Sequence, residues 1–174
     1  MVLFLMSLSV LFAAAMVGYL AIRLRADAWP PPGMPGLPAG LWLSAALLLT
    51  GSGSVHWALT SARGDRQTML LAAMIITLVL GVLFLISQAV NWAALMDLHV
   101  RPATNLYGFT FFMLTGLHGA HVVGGLVLLI VVTTRAFRGR YGAEAHAGVV
   151  YSAMYWHFLD AVWLVMFATM YLAA

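Results

Sequence analysis

Five long apolar runs, separated by short polar links, limit what this chain can fold into more than any other feature. Each run is close to the ~20 residues that a helix needs to cross the hydrocarbon core of a bilayer. Lipid offers the backbone no hydrogen-bond partner, so segments this long and apolar are expected to be helical. The sequence therefore predicts an all-α fold, an integral membrane bundle of five transmembrane helices, with residues 1–174 forming a single domain. The runs cover approximately residues 3–22, 40–60, 69–92, 107–133 and 148–172.

Composition supports this interpretation and removes several classes of function. Hydrophobic residues make up 64% of the 174 residues and charged residues only 7%, which is too few charges for the solvated surface of a soluble domain. The chain contains no cysteine, so disulfides, thiolate metal sites and cysteine nucleophiles are excluded. It also lacks the phosphate-binding pattern G-x-x-x-x-G-K-[ST] and the nucleophile pattern G-x-S-x-G.

The eight arginines lie mostly in the links between the runs and predict the orientation of the chain. The N-terminus with the second and fourth links carries five of them, and the first and third links with the C-terminus carry three. Arginine is enriched on the cytoplasmic side of membrane proteins, so the N-terminus is expected inside and the C-terminus outside. The net charge of +3 is explained by these topology-determining charges, and no nucleic-acid partner is expected. No small-residue cleavage site precedes Arg23, so the first run is expected to be a retained helix and not a signal peptide.

Four polar side chains near the middle of the last two runs are the main candidates for function. His118 and His121 are three residues apart in the fourth run, and His157 and Asp160 are three apart in the fifth. Residues at this spacing share one face of a helix. If the two helices are antiparallel neighbours, the two faces can meet at a similar depth. Polar groups at bilayer depth are energetically expensive, so each needs a reason.

Three interpretations of these four residues remain open. The first is structural: the side chains hydrogen-bond across helices and fix their packing, with Asp160 neutral or paired with a histidine because an unpaired buried charge is costly. The second is a metal site of three imidazoles and a carboxylate. The third is a proton relay. Haem ligation by His118 and His121 together is disfavoured, because two axial ligands approach a haem from opposite faces.

Two further groups of polar residues have simpler explanations. Gln88 and Asn91 are three apart in the third run, and we expect them to hydrogen-bond to neighbouring helices or to interfacial water. His56 and Trp57 stand near the end of the second run, where amphipathic side chains commonly anchor a helix at the interface.

Several segments of the chain resemble one family, subunit III of the haem-copper oxidases, in its short five-helix form. Residues 114–122 (LTGLHGAHV) and 155–163 (YWHFLDAVW) resemble the last two helices of that subunit. Residues 84–88 (FLISQ), 105–108 (NLYG) and 29–31 (WPP) resemble the end of the preceding helix, the entry to the penultimate helix and a loop. The resemblance covers essentially the whole chain and is strongest beyond about residue 80.

The resemblance implies a non-catalytic third subunit of a proton-pumping cytochrome c oxidase or quinol oxidase in a bacterial cytoplasmic membrane. In this family the subunit has no active site of its own and holds no haem or copper, which belong to partner subunits. It packs against subunit I, binds phospholipid, supports proton uptake and protects the active site during turnover. Arg135 and His146 match positions near lipid headgroups, where a guanidinium pairs well with phosphate. The resemblance favours the structural interpretation for an intramembrane polar network consisting of His118, His121, His157, Asp160 and Gln88.

Departures from the family pattern keep other interpretations open. Larger members have seven helices, of which this chain matches the last five. Many members carry a glutamate where this chain has Ser9 and another where it has Asn91, so proton-related roles of those carboxylates do not transfer. The short length and the missing carboxylates suit an accessory protein of nitric oxide reductase. The four His and Asp residues suit a stand-alone membrane metalloenzyme. A small transporter is less favoured, because five helices without a repeat offer little for alternating access.

Overall fold

The computed structural model describes residues 1–173 and contains five helices in an antiparallel arrangement, so the predicted all-α fold is confirmed. Helix ends lie within about five residues of the apolar runs because the helices continue past the most apolar positions. The helices are α1 (Val2–Leu24), α2 (Gly40–Arg63), α3 (Gln67–Asp97), α4 (Leu106–Phe137) and α5 (Ala147–Leu172).

Four of the helices, α1, α3, α4 and α5, are long and apolar enough to cross a membrane by length and composition. The exception is α2, whose central residues 50–54 read TGSGS and lower its mean hydropathy. With 24 residues α2 is still long enough, at about 36 Å, to cross the ~30 Å hydrocarbon layer. Ser54 of α2 donates a hydrogen bond to the carbonyl of Ala73, and Ser44 bonds to Ser87, both at 2.8 Å. Because these contacts align α2 antiparallel to α3 along its length, α2 takes the same path as a spanning helix.

The helices α2, α3, α4 and α5 form a ring, and α1 lies outside it against α4 and α5. Only 17% of the most apolar window of α1 is buried, whereas 56% of that of α5 is buried. Phe12 is the most buried residue of α1, and its ring lies 5.0 Å from His121 and 6.4 Å from Phe158. Of the four helices compared, α5 is therefore the most buried and α1 the most peripheral.

A tryptophan of α5 fills the middle of the ring and depends on two glycines. Trp156 is almost fully buried and packs against Gly51 of α2 and Gly81 of α3. A Cβ atom on Gly81 would lie 2.6 Å from the Trp156 ring and 2.7 Å from Leu126. Small residues at such positions allow helices to approach closely in a membrane. Gly51 and Gly81 are thus required by the size of Trp156.

The link between α1 and α2 folds back onto one end of the bundle. Trp29 is buried between Tyr19 and Tyr107, at ring distances of 5.8 and 5.2 Å. Tyr107 donates a hydrogen bond to the carbonyl of Pro35 at 3.1 Å, and the Arg23 guanidinium donates one to the carbonyl of Ala173 at 2.5 Å. These contacts tie the proline-rich link and the ends of α1 and α5 together at one membrane surface.

Candidate functional site

The first of the two polar pairs, His118 and His121, lies on α4 among residues of α1, α3 and α5. His118 is completely buried, with ring distances of 5.6 Å to Phe84, 5.2 Å to Trp163 and 6.2 Å to Phe12. Neither of its ring nitrogens has a hydrogen-bond partner among residues 1–173. The immediate surroundings of His118 are aromatic and enclosed.

His121 lies one turn further along α4 and is half-buried. Its Nδ1 donates a hydrogen bond to the carbonyl of Leu117 at 2.7 Å, so one of its two ring nitrogens is bonded within its own helix. The backbone carbonyl of His121 accepts a hydrogen bond at 3.0 Å from the hydroxyl of Tyr155 on α5. The α4–α5 contact at this level is therefore made by a tyrosine and a backbone carbonyl.

The second pair, His157 and Asp160, turns towards α2 and away from the two histidines of α4. His157 Nδ1 lies 2.6 Å from the hydroxyl oxygen of Ser52, and its ring centre lies 6.3 Å from that of His56. Asp160 is 5% exposed, and neither of its carboxylate oxygens has a hydrogen-bond partner in the described part of the chain. Ser52 lies beside Asp160, but the hydrogen bond of its hydroxyl goes to His157.

The four residues therefore occupy two separate places on α5 and α4, not one shared centre. His118 and His121 face Phe12 of α1, while His157 and Asp160 face Ser52 of α2. Within residues 1–173, no three His, Asp or Glu side chains converge in a way that could hold a metal ion. The predicted metal arrangement has no geometric support in this part of the chain, and the predicted roles of the individual residues stay predictions.

Gln88 and Asn91 of α3 have different environments although they share a face. Asn91 donates to the Ser44 hydroxyl of α2 at 3.4 Å, so it hydrogen-bonds to a neighbouring helix. Gln88 is 3% exposed and both of its amide atoms lack a partner among the described residues. It lines a cleft of about 220 Å³ between α3 and α4, next to Trp92. The indole of Trp92 donates to the Thr115 hydroxyl at 3.0 Å across this cleft.

Arg135 and His146 flank the link between α4 and α5 and so lie at the same end of the bundle. Arg135 is in the last turn of α4 and is exposed. His146 is the residue before α5, and its Nδ1 donates to the carbonyl of Gly142 at 3.2 Å. Arg138 and Arg140 are also exposed in this link. The link thus presents a group of cationic side chains at one surface.

Sequence reasoning did not identify Ser52 or the relation of His56 to His157. Ser52 is the residue that joins His157 to α2, and His56 is the exposed neighbour of that ring. A signal for Ser52 was present, because the run TGSGS is unusual inside a long apolar segment. Hydroxyl groups at bilayer depth commonly hydrogen-bond across helices.

Comparison with known proteins gives a consistent family assignment. A family model described as cytochrome c oxidase subunit III matches residues 1–174. A cytochrome c oxidase subunit 3 from Synechocystis sp. is 35% identical over 173 residues, covering 98% of this chain and 73% of that protein. One from Thermostichus vulcanus is 30% identical over 170 residues, covering 97% of this chain and 83% of that protein. The mouse protein of the same name is 35% identical over 145 residues, which cover 82% of this chain and 54% of the mouse chain.

Proposed function

This chain belongs to the cytochrome c oxidase subunit III family, and we propose that it serves its haem-copper oxidase without an active site of its own. In this proposal the chain packs against subunit I, binds phospholipid and sustains activity during turnover. Haem and copper reside in the partner subunits. The electron donor is cytochrome c or a quinol.

The observation that carries the non-catalytic proposal is the enclosure of the intramembrane polar residues. His118 is surrounded by aromatic rings, and Nδ1 of His121 is hydrogen-bonded within its own helix. His157 is bonded to Ser52 of the neighbouring helix. A catalytic site needs a reacting group that faces a place where substrate can bind. These side chains face other helices of the bundle, which supports a role in packing and in positioning the helices.

The phospholipid part of the proposal rests on the link between α4 and α5. Arg135, Arg138 and Arg140 are exposed there and lie close to His146 in the chain. Guanidinium groups form strong hydrogen bonds with phosphate oxygens. A lipid headgroup at this surface would be bound by Arg135 and His146, with its acyl chains along the apolar outer faces of the helices.

The location that we propose is a bacterial cytoplasmic membrane, with the N-terminus inside and the C-terminus outside. The links after α2 and after α4 carry five of the eight arginines, and arginine is enriched on the cytoplasmic side. The antiparallel helix order places these two links at the same end of the bundle.

The test is purification of the tagged chain from its native membrane in a mild detergent, followed by reduced-minus-oxidised spectra. We expect a haem-rich complex, and we expect the haem to remain with the other subunits when this chain is removed. The complex without the chain should begin at a similar rate of oxygen reduction and lose activity faster during turnover. A chain that purifies without haem proteins, or a depleted complex with unchanged lifetime, would contradict the proposal.

The same preparation distinguishes the nitric oxide reductase alternative. An oxidase complex reduces oxygen and contains the copper of a haem-copper centre, whereas an accessory protein of nitric oxide reductase would co-purify with nitric oxide reduction. The relatives described above are named as cytochrome c oxidase subunits, which favours the oxidase.

A further inference from the structure

Gln88 of α3 is a buried amide that lacks a partner and lies beside a cleft. Its side chain is 3% exposed, and neither Oε1 nor Nε2 has a hydrogen-bond partner among residues 1–173. A buried polar side chain normally has at least one partner, in protein or in ordered water. The sequence predicts a neighbouring helix or interfacial water for Gln88, and no neighbouring helix of the described chain supplies the bond. The partner of Gln88 therefore comes from outside this part of the chain.

The cleft beside Gln88 has room for a small molecule. Its volume is about 220 Å³, whereas a water molecule takes about 30 Å³ in the liquid. The wall formed by α4 consists mainly of small residues, and a Cβ atom on Gly119 would meet no heavy atom of the described chain within 4 Å. We call this space the α3–α4 cleft; it is lined by Leu85, Gln88, Ala89, Trp92, Thr115, Gly116, Gly119, Ala120 and Val123.

The other polar side chains of the α3–α4 cleft are already hydrogen-bonded. The indole of Trp92 donates to the Thr115 hydroxyl at 3.0 Å, and that hydroxyl donates to the carbonyl of Phe111 at 2.7 Å. None of the described residues that line the cleft is charged. Gln88 is therefore the lining side chain that can select a ligand. A neutral ligand is favoured, because a charge would be buried without compensation.

Gln88 lies inside the hydrocarbon layer but near its surface. The 31 residues of α3 span about 46 Å, which exceeds the ~30 Å layer by about 16 Å. Gln88 is nine residues before Asp97, where α3 ends, or about 14 Å along the axis. If the excess length is shared equally by the two ends, Gln88 lies about 6 Å below the surface of the layer. Interfacial water and small molecules dissolved in the membrane can reach this depth, whereas acyl chains offer the amide no hydrogen bond.

The amide of Gln88 needs a partner that both accepts and donates hydrogen bonds. Its Nε2 carries two N–H donors, and its Oε1 is an acceptor. The ester carbonyl of a lipid accepts but does not donate, so it would leave Oε1 unpaired. A hydroxyl group accepts and donates through one oxygen. The apolar remainder of the cleft, formed by residues such as Leu85 and Val123, suits a short hydrocarbon group attached to that hydroxyl.

We propose that the α3–α4 cleft binds a neutral hydroxyl-bearing molecule whose oxygen accepts a hydrogen bond from Nε2 of Gln88 and donates one to Oε1. Two sources have this chemistry: water from the interface and a small alcohol dissolved in the membrane. The cleft is formed by α3 and α4 alone, so the site does not depend on which complex the chain joins.

A double-variant cycle on the purified full chain tests the hydrogen bonds to the ligand. Gly119→Leu fills the cleft, and Gln88→Met keeps the length of the side chain but removes the amide. In the wild-type background we expect Gly119→Leu to lower the melting temperature by about 2–12 °C, because the amide loses its partner. In the Gln88→Met background the same change should cost less than about 2 °C.

The cycle separates hydrogen bonding from crowding, because the added leucine meets a side chain of similar size in both backgrounds. Gly18→Leu on α1 is the matched control, since a Cβ there also meets no heavy atom of the described chain within 4 Å. It should leave the melting temperature unchanged in both backgrounds. Equal losses from Gly119→Leu in the two backgrounds would overturn the proposal.

Photolabelling of the tagged complex tests for an alcohol as the source. The probes are hexanol that carries a diazirine and hexane that carries the same group. If an alcohol binds, the hexanol probe should label residues of the cleft such as Ala89, and Gln88→Met should lower this labelling about tenfold. The hexane probe should label the cleft no more than the outer faces of the helices. Equal labelling of the cleft by both probes would overturn the proposal.

Radiolytic hydroxyl labelling of the same complex tests for water. If water is bound, the radicals that it forms in place should oxidise Trp92, and Gly119→Leu should reduce this oxidation about tenfold while Gly18→Leu leaves it unchanged. Either signal supports the site and identifies its source. The absence of both signals in the wild-type complex, which is expected if another protein chain fills the cleft, would overturn the proposal.

Discussion

The contact between α2 and α5 and the contact between α3 and α4 join neighbouring helices of one bundle by different chemistry. The α2–α5 contact combines the Ser52–His157 hydrogen bond at 2.6 Å with aromatic packing of Trp42 on Phe167 at 4.9 Å. The α3–α4 contact is mainly apolar, with the Trp92–Thr115 hydrogen bond at 3.0 Å crossing it. The exposed residues of α2 include the polar Thr50, His56 and Thr60, whereas the exposed residues of α3 from Met69 to Met96 are all apolar.

This difference shows that the residue types on each face of a membrane helix match what that face contacts. Lipid is as apolar as leucine, so hydrophobicity does not hold helices together inside a bilayer; close packing and hydrogen bonds do. The aliphatic outer face of α3 is suited to contact with acyl chains. The small and polar residues Gly51 and Ser52 of α2 are suited to contact with α5 inside the bundle.

The largest effect is expected from Trp156, which belongs to both halves of the comparison because it packs on Gly51 of α2 and Gly81 of α3. Trp156→Ala removes one of the two largest fully buried side chains and leaves a cavity where the ring lay. By analogy with buried aromatic truncations in soluble proteins, it should reduce the free energy of unfolding by about 3–5 kcal/mol. Thermal unfolding of the purified chain, followed by fluorescence-detected size exclusion, measures this loss.

The matched control for Trp156 is Trp42→Ala, because Trp42 is 58% exposed and lies at the edge of the α2–α5 contact. It should destabilise the chain much less. If the Trp42→Ala chain has a melting temperature equal to or lower than that of Trp156→Ala, packing around Trp156 is not the main contribution to the stability of the bundle.

The next effect tests the aliphatic half of the comparison. Val82 is at the centre of α3 and is 48% exposed, and we expect it to face acyl chains. Val82→Arg should make insertion of this helix less favourable by about 2.5–3.5 kcal/mol, which a glycosylation-mapping assay of α3 insertion measures. Val82→Leu is the control and should insert like wild type. If Val82→Arg also inserts like wild type, this face borders water or an acidic partner and the contrast between the two surfaces disappears.

The helices were predictable because the length of an apolar run can be counted in the sequence and compared with the thickness of the hydrocarbon layer. The third run, 69–92, is part of α3, but the helix continues to Asp97. Hydropathy falls where the chain enters the interface, whereas backbone hydrogen bonds continue until a residue can no longer adopt helical angles. His99, which follows α3, has a φ of 62° and lies in the left-handed region. The apolar run therefore predicted the membrane-embedded part of α3 better than the helix end.

The sequence predicts which polar residues share one face of a helix, but it does not predict which neighbouring residues they contact. Spacing of three places His157 and Asp160 on one side of α5, but it does not determine which neighbour that side meets. The rotation of α5 is set by Tyr155 and Leu159 against Gly125 of α4. That packing turns His157 and Asp160 to α2, where Ser52 lies. Contacts of this kind depend on the combined shapes of several helices, so a single sequence can mark a candidate such as Ser52 but not its partner.

The smallest effect is expected from two serines of α2, one of which bonds to α5 and the other to α3. Ser52 bonds to the His157 ring of α5, and Ser54 donates to the Ala73 carbonyl of α3 at 2.8 Å. Ser52→Ala leaves the imidazole without its partner, which should cost about 1–2 kcal/mol. A change of this size lowers the melting temperature of a chain of this length by about 2–8 °C.

Ser54→Ala should lower the melting temperature by less than about 2 °C, because the Ala73 carbonyl keeps a second hydrogen bond. The Ala73 carbonyl also accepts a hydrogen bond from the Thr77 hydroxyl at 2.9 Å. The double variant Ser52→Ala/Ser54→Ala should lose the sum of the two single losses, since the partners lie on different helices. Equal losses from the two single variants would show that the side-chain bond to α5 is worth no more than the bond to α3. In that case the hydrogen bond to α5 would not set the α2–α5 contact apart from the α2–α3 contact.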